Sequence, residues 1–360
     1  MRKNTQACYY GDYLQLHKLL DAQAPESDKH GHPAHDEMLF IITHQAYELW
    51  FKQLLHELNS IMAQFKGDVL NDEALATVVH RLKRFTAIQK LINDQISVLE
   101  TMSPQDFLEF RDYLVPASGF QSIQFKELEV RLGLRRSQRT EADRQFFLAR
   151  LNDQDRAYLL ALEKEETLTC QLDRWLARLP LLEFDGFAFW EHYRRGADEM
   201  LDSDEAIIRA NFSGDTLKSQ LDDLDATRAR FTALFDDSHY QRLLDDGQLT
   251  LSHRAMMSAL FINLYRDEPL FHLPFQLLTT LMEIDELFTA WRYRHVLMVQ
   301  RMLGSKIGTG GSSGGDYLRR NTEANRLFKD LYAISTYLLP KHALPPLPEA
   351  VKRKLGFSLG

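Results

Sequence analysis

Three segments carry residue types whose spacing could do chemistry. In FIITHQAYELWFKQLLHEL, residues 40–58, His44 follows Phe40 by four positions and precedes Phe51 by seven, so a helix places all three on one stripe. Glu48 stands four residues after His44, a spacing that suits a shared metal or a hydrogen-bonded pair. No H-E-x-x-H pattern occurs here, so a zinc-protease reading fails, and a core histidine satisfied by a hydrogen bond is the plainer alternative. In DFLEFRDYLVPASGFQSIQF, residues 106–125, Arg111 sits among Phe107, Phe110, Tyr113 and Leu114 on a short helix broken by Pro116 and Gly119. A guanidinium in such apolar surroundings needs an anion, either an internal carboxylate or a substrate carboxylate or phosphate gripped by two parallel hydrogen bonds.

The third segment is WRYRHVLMVQRMLGSKIGTGGSSGGDYL, residues 291–318, where His295 shares a helical stripe with Phe288, Trp291, Met298, Val299 and Met302. Five of the chain's 17 glycines follow at once, within 308–315. They match neither phosphate-binding pattern: Gly304-Ser305-Lys306 has the wrong order for a Walker loop, and Ser313 occupies the last glycine position of G-x-G-x-x-G read from Gly308. No strand precedes them, which removes the dinucleotide-binding context. What remains is either a plain linker or a backbone loop that closes over a ligand with its N–H and hydroxyl groups. Two inward histidines, an arginine among aromatics and such a loop suggest a pocket in the core of a helical bundle, where the histidines could flank a planar cofactor such as haem.

The elements that must position these residues are helical nearly throughout. Expected helices run from an Asp36 cap to Phe65, and from an Asn71 cap to Met102 with Ser103-Pro104 as the stop. Others are expected over 105–114, 121–132, 138–151, 153–177 and 274–304, with a final one over 323–339. Asp202 or Ser203 should open a further acidic helix, and 214–246 is strongly charged. The expected fold is all-α, one large helical-bundle domain over 1–360, with 205–270 as a possible charged elaboration. The chain has 360 residues, 44% hydrophobic and 26% charged, which is ordinary globular composition. A net charge of −8 argues against nucleic acid as a partner. Only Cys8 and Cys170 occur, too few for a disulfide framework or a cysteine-ligated metal cluster. No signal-peptide-like or membrane-spanning apolar run is present, so a cytoplasmic location is expected.

The runs YGDYLQLHKLL, HDEMLFIITHQAYELWFKQLLHEL, FRDYLVPASGFQS and WRYRHVLMVQRMLGSKIGTGGSSG closely resemble the tryptophan 2,3-dioxygenase family, in wording nearest its eukaryotic branch. The likeness extends from Tyr10 to about His342 and is weakest through 205–270. It implies an all-helical homotetramer, a dimer of dimers, with one haem b per subunit. It also implies the first step of tryptophan degradation by the kynurenine route, opening of the indole ring of L-tryptophan by O₂ to give N-formylkynurenine. By the resemblance, His295 is the axial ligand of the haem iron and His44 the distal residue that hydrogen-bonds the indole N–H. Arg111 clamps the substrate carboxylate, Thr309 meets the substrate ammonium, and Phe40, Phe107, Leu114 and Ser118 line the pocket. Tyr10, Tyr13 and Leu14 belong to an N-terminal segment that completes a neighbouring subunit's site. Gly314-Gly315-Asp316 departs from the Gly-Tyr-His of eukaryotic relatives. The competing readings are a haem monooxygenase of the same scaffold acting on an indole derivative and a non-catalytic haem-binding sensor. Arg111 together with Thr309 argues against both.

Overall fold

Capping and apolar stripes explain where the main helices begin and end. The computed structural model describes residues 6–67, 70–134, 145, 147–179, 189–304, 325–349 and 351–352, and among these there are helices and turns and no strand. Three short N-terminal helices, α1 (Tyr10–Leu14), α2 (Leu16–Leu19) and α3 (Glu26–Lys29), precede the long α4 (His35–Phe65). Ala34 rather than Asp36 takes the N-cap position of α4, and Asp36 and Glu37 fall in its first turn, where their charges complement the helix dipole. Helix α5 (Asp72–Leu99) starts as expected, the Asn71 side chain accepting a hydrogen bond from Ala74 N at 2.8 Å. It ends before Met102, and Ser103 opens α6 (Pro104–Phe110) through a capping box with Asp106. The expected helix 105–114 therefore divides, α6 giving way at Arg111–Leu114 to a tighter 3₁₀ turn. Helix α7 (Ile123–Leu132) stops at Gly133, whose φ of +128° favours glycine; a Cβ there would lie 2.0 Å from Thr169 Oγ1.

Three further expectations are corrected. The stretch 153–177 forms two helices, α8 (Asp153–Leu162) and α9 (Leu168–Arg178), because the Thr167 hydroxyl accepts from Cys170 N and starts a new helix after the charged turn that precedes it. No helix opens at Asp202 or Ser203. Instead α10 (Phe189–Asn211) runs through them, carried by a buried stripe at Phe189, Tyr193, Ala197 and Leu201. The charged stretch 214–246 makes α11 (Gly214–Leu234) and α12 (Asp237–Asp245), separated where the Asp236 carboxylate accepts from Ser238 N and His239 N. Helices α10 and α11 lie side by side, tied by Arg228 to Asp202 and Glu205. Next, α13 (His253–Leu264) is buried along most of its length. Helix α14 (His272–Leu303) follows, and α15 (Lys329–Ala333) runs into a 3₁₀ turn at Ile334–Tyr337 in place of one helix over 323–339. Most of 138–151 lies outside the described residues.

Helix α5 is the hub, packing most extensively against α14 and then α4. Side-chain amides fix that arrangement: the buried Gln89 Nε2 donates to Ile284 O at 3.2 Å and Asn93 Nδ2 to Leu287 O at 3.1 Å, and the half-buried Gln95 Nε2 to Thr43 O at 2.9 Å. Arg294 Nη1 returns a bond to Asn93 O at 2.7 Å. One buried charge network ties α7, α14 and the segment leading to α15. Arg292, 7% exposed, pairs with Glu129, 1% exposed, at 2.8 Å, and its other terminal nitrogen donates to Asn325 O at 3.0 Å. Among the described residues, no helix is long and apolar enough to cross a membrane.

Candidate active site

His44 lies on α4 one turn after Phe40, and that spacing sets its chemistry. Its Nδ1 is 2.7 Å from Phe40 O, a carbonyl that can only accept, so Nδ1 carries the proton and Nε2 keeps its lone pair. The Phe40 ring lies 4.1 Å from the imidazole. Burial lowers the His44 pKa, outweighing the Phe40 carbonyl and the more distant Glu48, so the ring is held neutral. Glu48 is engaged elsewhere: Gln124 Nε2 donates to its Oε2 at 2.7 Å and to its backbone oxygen at 3.0 Å. The His44–Glu48 spacing therefore makes neither a hydrogen-bonded pair nor a metal site. Among the described residues, no group of three or more His, Cys, Asp or Glu could hold a metal ion.

His295 sits near the C-terminal end of α14, stacked on Trp291 with ring centroids 5.1 Å apart and planes 4° from parallel. Its pKa is pushed down to about 4, first by burial and then by the proximity of His44. Two imidazoles 251 positions apart in the chain thus come close enough to sense each other's charge, and both are kept as neutral donors or ligands.

The wall around them is one apolar cluster. Met102, Phe110 and Met302 are buried in it, with Phe40, Phe107 and Leu114 packed against them. Phe40 meets Phe107 at 5.7 Å and Phe110 at 5.5 Å, and Phe107 meets Phe110 edge-on at 5.4 Å. Helix α6 and its 3₁₀ turn deliver Phe107 and Leu114 to this wall and carry the half-buried Arg111 between them. The turn continues through Ala117 N, which donates to Leu114 O at 2.6 Å, and Ser118 N, which donates to Gln121 Oε1 at 3.1 Å. A cleft of about 410 Å³ reaches His44 from the α2 side, lined also by Leu19, Gln45, Glu48, Lys52 and Gln124.

The structure thus gathers Phe40, His44, Phe107, Leu114 and His295, with Arg111 and Ser118 on the adjoining turn. It does not bring Tyr10, Tyr13 and Leu14 to them: these lie on α1 and are 70%, 74% and 41% exposed. Thr309 and the glycine-rich stretch lie outside the described residues. The parallel Trp291 stack was readable as an i, i+4 neighbour of His295, while nothing local to residue 47 announces its place beside Trp291.

The family described as tryptophan 2,3-dioxygenase matches residues 1–338. A protein of Alteromonas mediterranea named tryptophan 2,3-dioxygenase is 56% identical over 361 residues, covering 100% of both chains. One of Dictyostelium discoideum with the same name is 47% identical over 97% of this chain and 88% of its own. Tryptophan 2,3-dioxygenase B of Danio rerio is 46% identical over 94% of this chain and 84% of its own. An all-helical chain that gathers two neutral histidines within an aromatic wall, and that matches these relatives along essentially its whole length, belongs to the tryptophan 2,3-dioxygenase family.

Proposed function

We propose that the chain is a haem-dependent dioxygenase that opens the indole ring of L-tryptophan with O₂ to give N-formylkynurenine, both oxygen atoms entering the product. The observation that carries this reading is the pair of neutral imidazoles, His44 and His295, close together behind the Phe40–Phe107–Phe110 wall. These residues fit haem b. A neutral imidazole is the form that ligates iron, and Trp291, Met298 and Met302 offer an apolar setting for a macrocycle. His295 would hold the iron, one haem per subunit, and the group when bound supplies the activation of O₂.

The rest of the work falls to the chain's own side chains. With Nδ1–H committed to the Phe40 carbonyl, His44 offers Nε2 as an acceptor for the indole N–H, and its lowered pKa keeps that lone pair free near neutral pH. Arg111 grips the substrate carboxylate, and Thr309 receives the ammonium. Phe40, Phe107, Leu114 and Ser118 confine the indole, exclude water and hold its C2–C3 edge in one orientation. The exposed aromatic face of α1 supports a homotetramer, a dimer of dimers, in which Tyr10, Tyr13 and Leu14 complete a neighbouring copy's pocket. The protein acts in the cytoplasm.

The test is anaerobic reduction of the purified holoprotein, then addition of O₂ and L-tryptophan while absorbance in the N-formylkynurenine band is followed. Growth of that band, with two oxygen atoms added and no reductant consumed, is the expected result. Incorporation of one oxygen atom with a demand for reductant would overturn it in favour of a monooxygenase. No product and no tryptophan-dependent spectral change would leave a haem-binding sensor.

A further inference from the structure

The indole of Trp291 stacks on the imidazole of His295, one turn further along α14, with ring centroids 5.1 Å apart. Its plane is within 4° of the imidazole plane, whereas its contacts with Phe125 and Tyr47 are tilted by 38° and 76°. Among the described residues, His295 is the ring that meets Trp291 in a parallel, offset stack, one of the two favoured aromatic geometries. Trp291 is itself held from two sides. Phe125 of α7 lies 4.9 Å from it, and Tyr47 of α4 meets it edge-on at 6.2 Å.

Trp291 Nε1 is buried and makes no full hydrogen bond among the described residues. The Tyr47 ring lies edge-on to the indole at 6.2 Å, and burial raises its hydroxyl pKa to about 12, the nearby indole N–H acting weakly in the opposite sense. The Tyr47 hydroxyl in turn donates to Ile92 O on α5 at 3.2 Å, which leaves its oxygen lone pairs for the indole N–H. Tyr47 also stands edge-on to His44 at 6.4 Å, one turn along the same helix. A continuous line of contacts therefore runs from the α5 backbone through Tyr47 and Trp291 to the face of the His295 ring.

We propose that Tyr47 and Trp291 are positioning residues for the His295 imidazole. Trp291 fixes the ring's rotation about its bond to the chain by stacking on its face, and Tyr47 fixes Trp291 by its edge-on contact with the indole. This rests on the reading that His295 holds the haem iron. Such an arrangement limits the imidazole to one orientation before any ligand arrives, which is how supporting contacts tune a metal ligand in general.

The experiment uses holoprotein carrying Trp291→Phe, Trp291→Leu, Tyr47→Phe and the Tyr47→Phe/Trp291→Phe pair. The readouts are the ferrous iron–histidine stretching band in resonance Raman spectra and the rate of haem transfer to an excess of an apoprotein acceptor. Trp291→Leu should shift and broaden the band and speed haem release by about threefold to tenfold, the scale of one lost aromatic pair. Trp291→Phe keeps a ring but no N–H, so release should slow back towards the native rate while the band stays shifted. Tyr47→Phe frees the Tyr47 ring from Ile92 O, so it should shift the band in the native background and have no further effect once Trp291 is Phe, because its action passes through Trp291. An unmoved band in Trp291→Leu, or equal Tyr47→Phe shifts in both backgrounds, would overturn the proposal. If Trp291→Leu does not fold, Trp291→Phe and Tyr47→Phe decide the matter alone. His295→Gly separates the two layers: its band should vanish and return with free imidazole. Failure there refutes the ligand assignment, whereas success there with an unmoved Trp291→Leu band refutes only the positioning role.

Discussion

Replacing Glu129 by Gln removes the anionic half of the buried pair that joins α7 to α14. The carboxylate is 1% exposed and the Arg292 guanidinium 7%, with nitrogen and oxygen 2.8 Å apart. At an effective dielectric constant of about 20, that separation corresponds to a gross attraction of about 6 kcal/mol, most of which offsets the cost of drying both ions. Breaking such a pair costs about 3–5 kcal/mol, because one charge stays buried without its counterion. Here the lower end applies, since Arg292 keeps the Asn325 carbonyl and Gln retains an acceptor oxygen. The repulsion left between Lys126, which also pairs with Glu129 at 2.9 Å, and Arg292 works the other way. For 360 residues at about 2.1 cal/mol/K each, the unfolding entropy is about 0.76 kcal/mol/K, so a loss of about 3 kcal/mol lowers Tm by about 4 °C. Scanning calorimetry at fixed protein concentration gives the number. The double variant Glu129→Gln/Arg292→Met removes both ions and should recover most of the loss. A single-variant drop below about 1 °C, or a double variant as unstable as the two singles added together, refutes the reasoning.

Arg111→Ala should lower kcat/KM for L-tryptophan by about 2–5 kcal/mol in transition-state terms, because a substrate carboxylate then enters a dry site unpaired; steady-state kinetics with an unchanged value would remove Arg111 from the substrate site. His295→Ala should leave a folded protein without haem, and a Soret band of native position and intensity after reconstitution would contradict that. Asp285, wholly buried, has its pKa raised above 3.8 by desolvation, although Leu327 N donates to it and Arg326 lies nearby. A carboxyl raised in the folded state contributes stability that is full below 3.8 and is lost as pH climbs through its elevated native value. Asp285→Asn should therefore gain in Tm relative to the native chain as pH rises from about 4 to about 7, and a difference that is constant or reversed with pH would show that Asp285 does not titrate this way.

Helices α4, α5 and α14 were legible in the sequence because long apolar stripes coincide with strong end signals, Asn71 before α5 and Gly304 after α14. The break at 163–167 was not, since apolar spacing continues across it and only the Thr167 cap announces the second helix. The opposite error arose at Asp202 and Ser203, which read as a cap but lie mid-helix, where the buried stripe ending at Leu201 outweighs them. His44 and His295 were each legible as inward-facing from their own helix. That they lie near enough to influence each other's charge was not, because it depends on α5 packing against both α4 and α14. The gathering of Phe107 and Leu114 with Phe40 likewise follows from where α6 lands, a tertiary fact that local spacing does not encode. Tyr47 lay on the buried stripe, but its hydroxyl bond to Ile92 O belongs to the helix–helix interface.

The pairing of α14 with α5, and of His295 with His44, sets a timetable for synthesis. At about 5–20 residues per second, the 251 positions between the two histidines take about 13–50 s to translate. Throughout that interval the nascent chain exposes the α5 surface that α14 later covers, together with the unfinished aromatic wall around Phe40. Contacts of such long sequence separation close slowly. The pocket between the two histidines is therefore completed only once α14 has been made and has packed on α5.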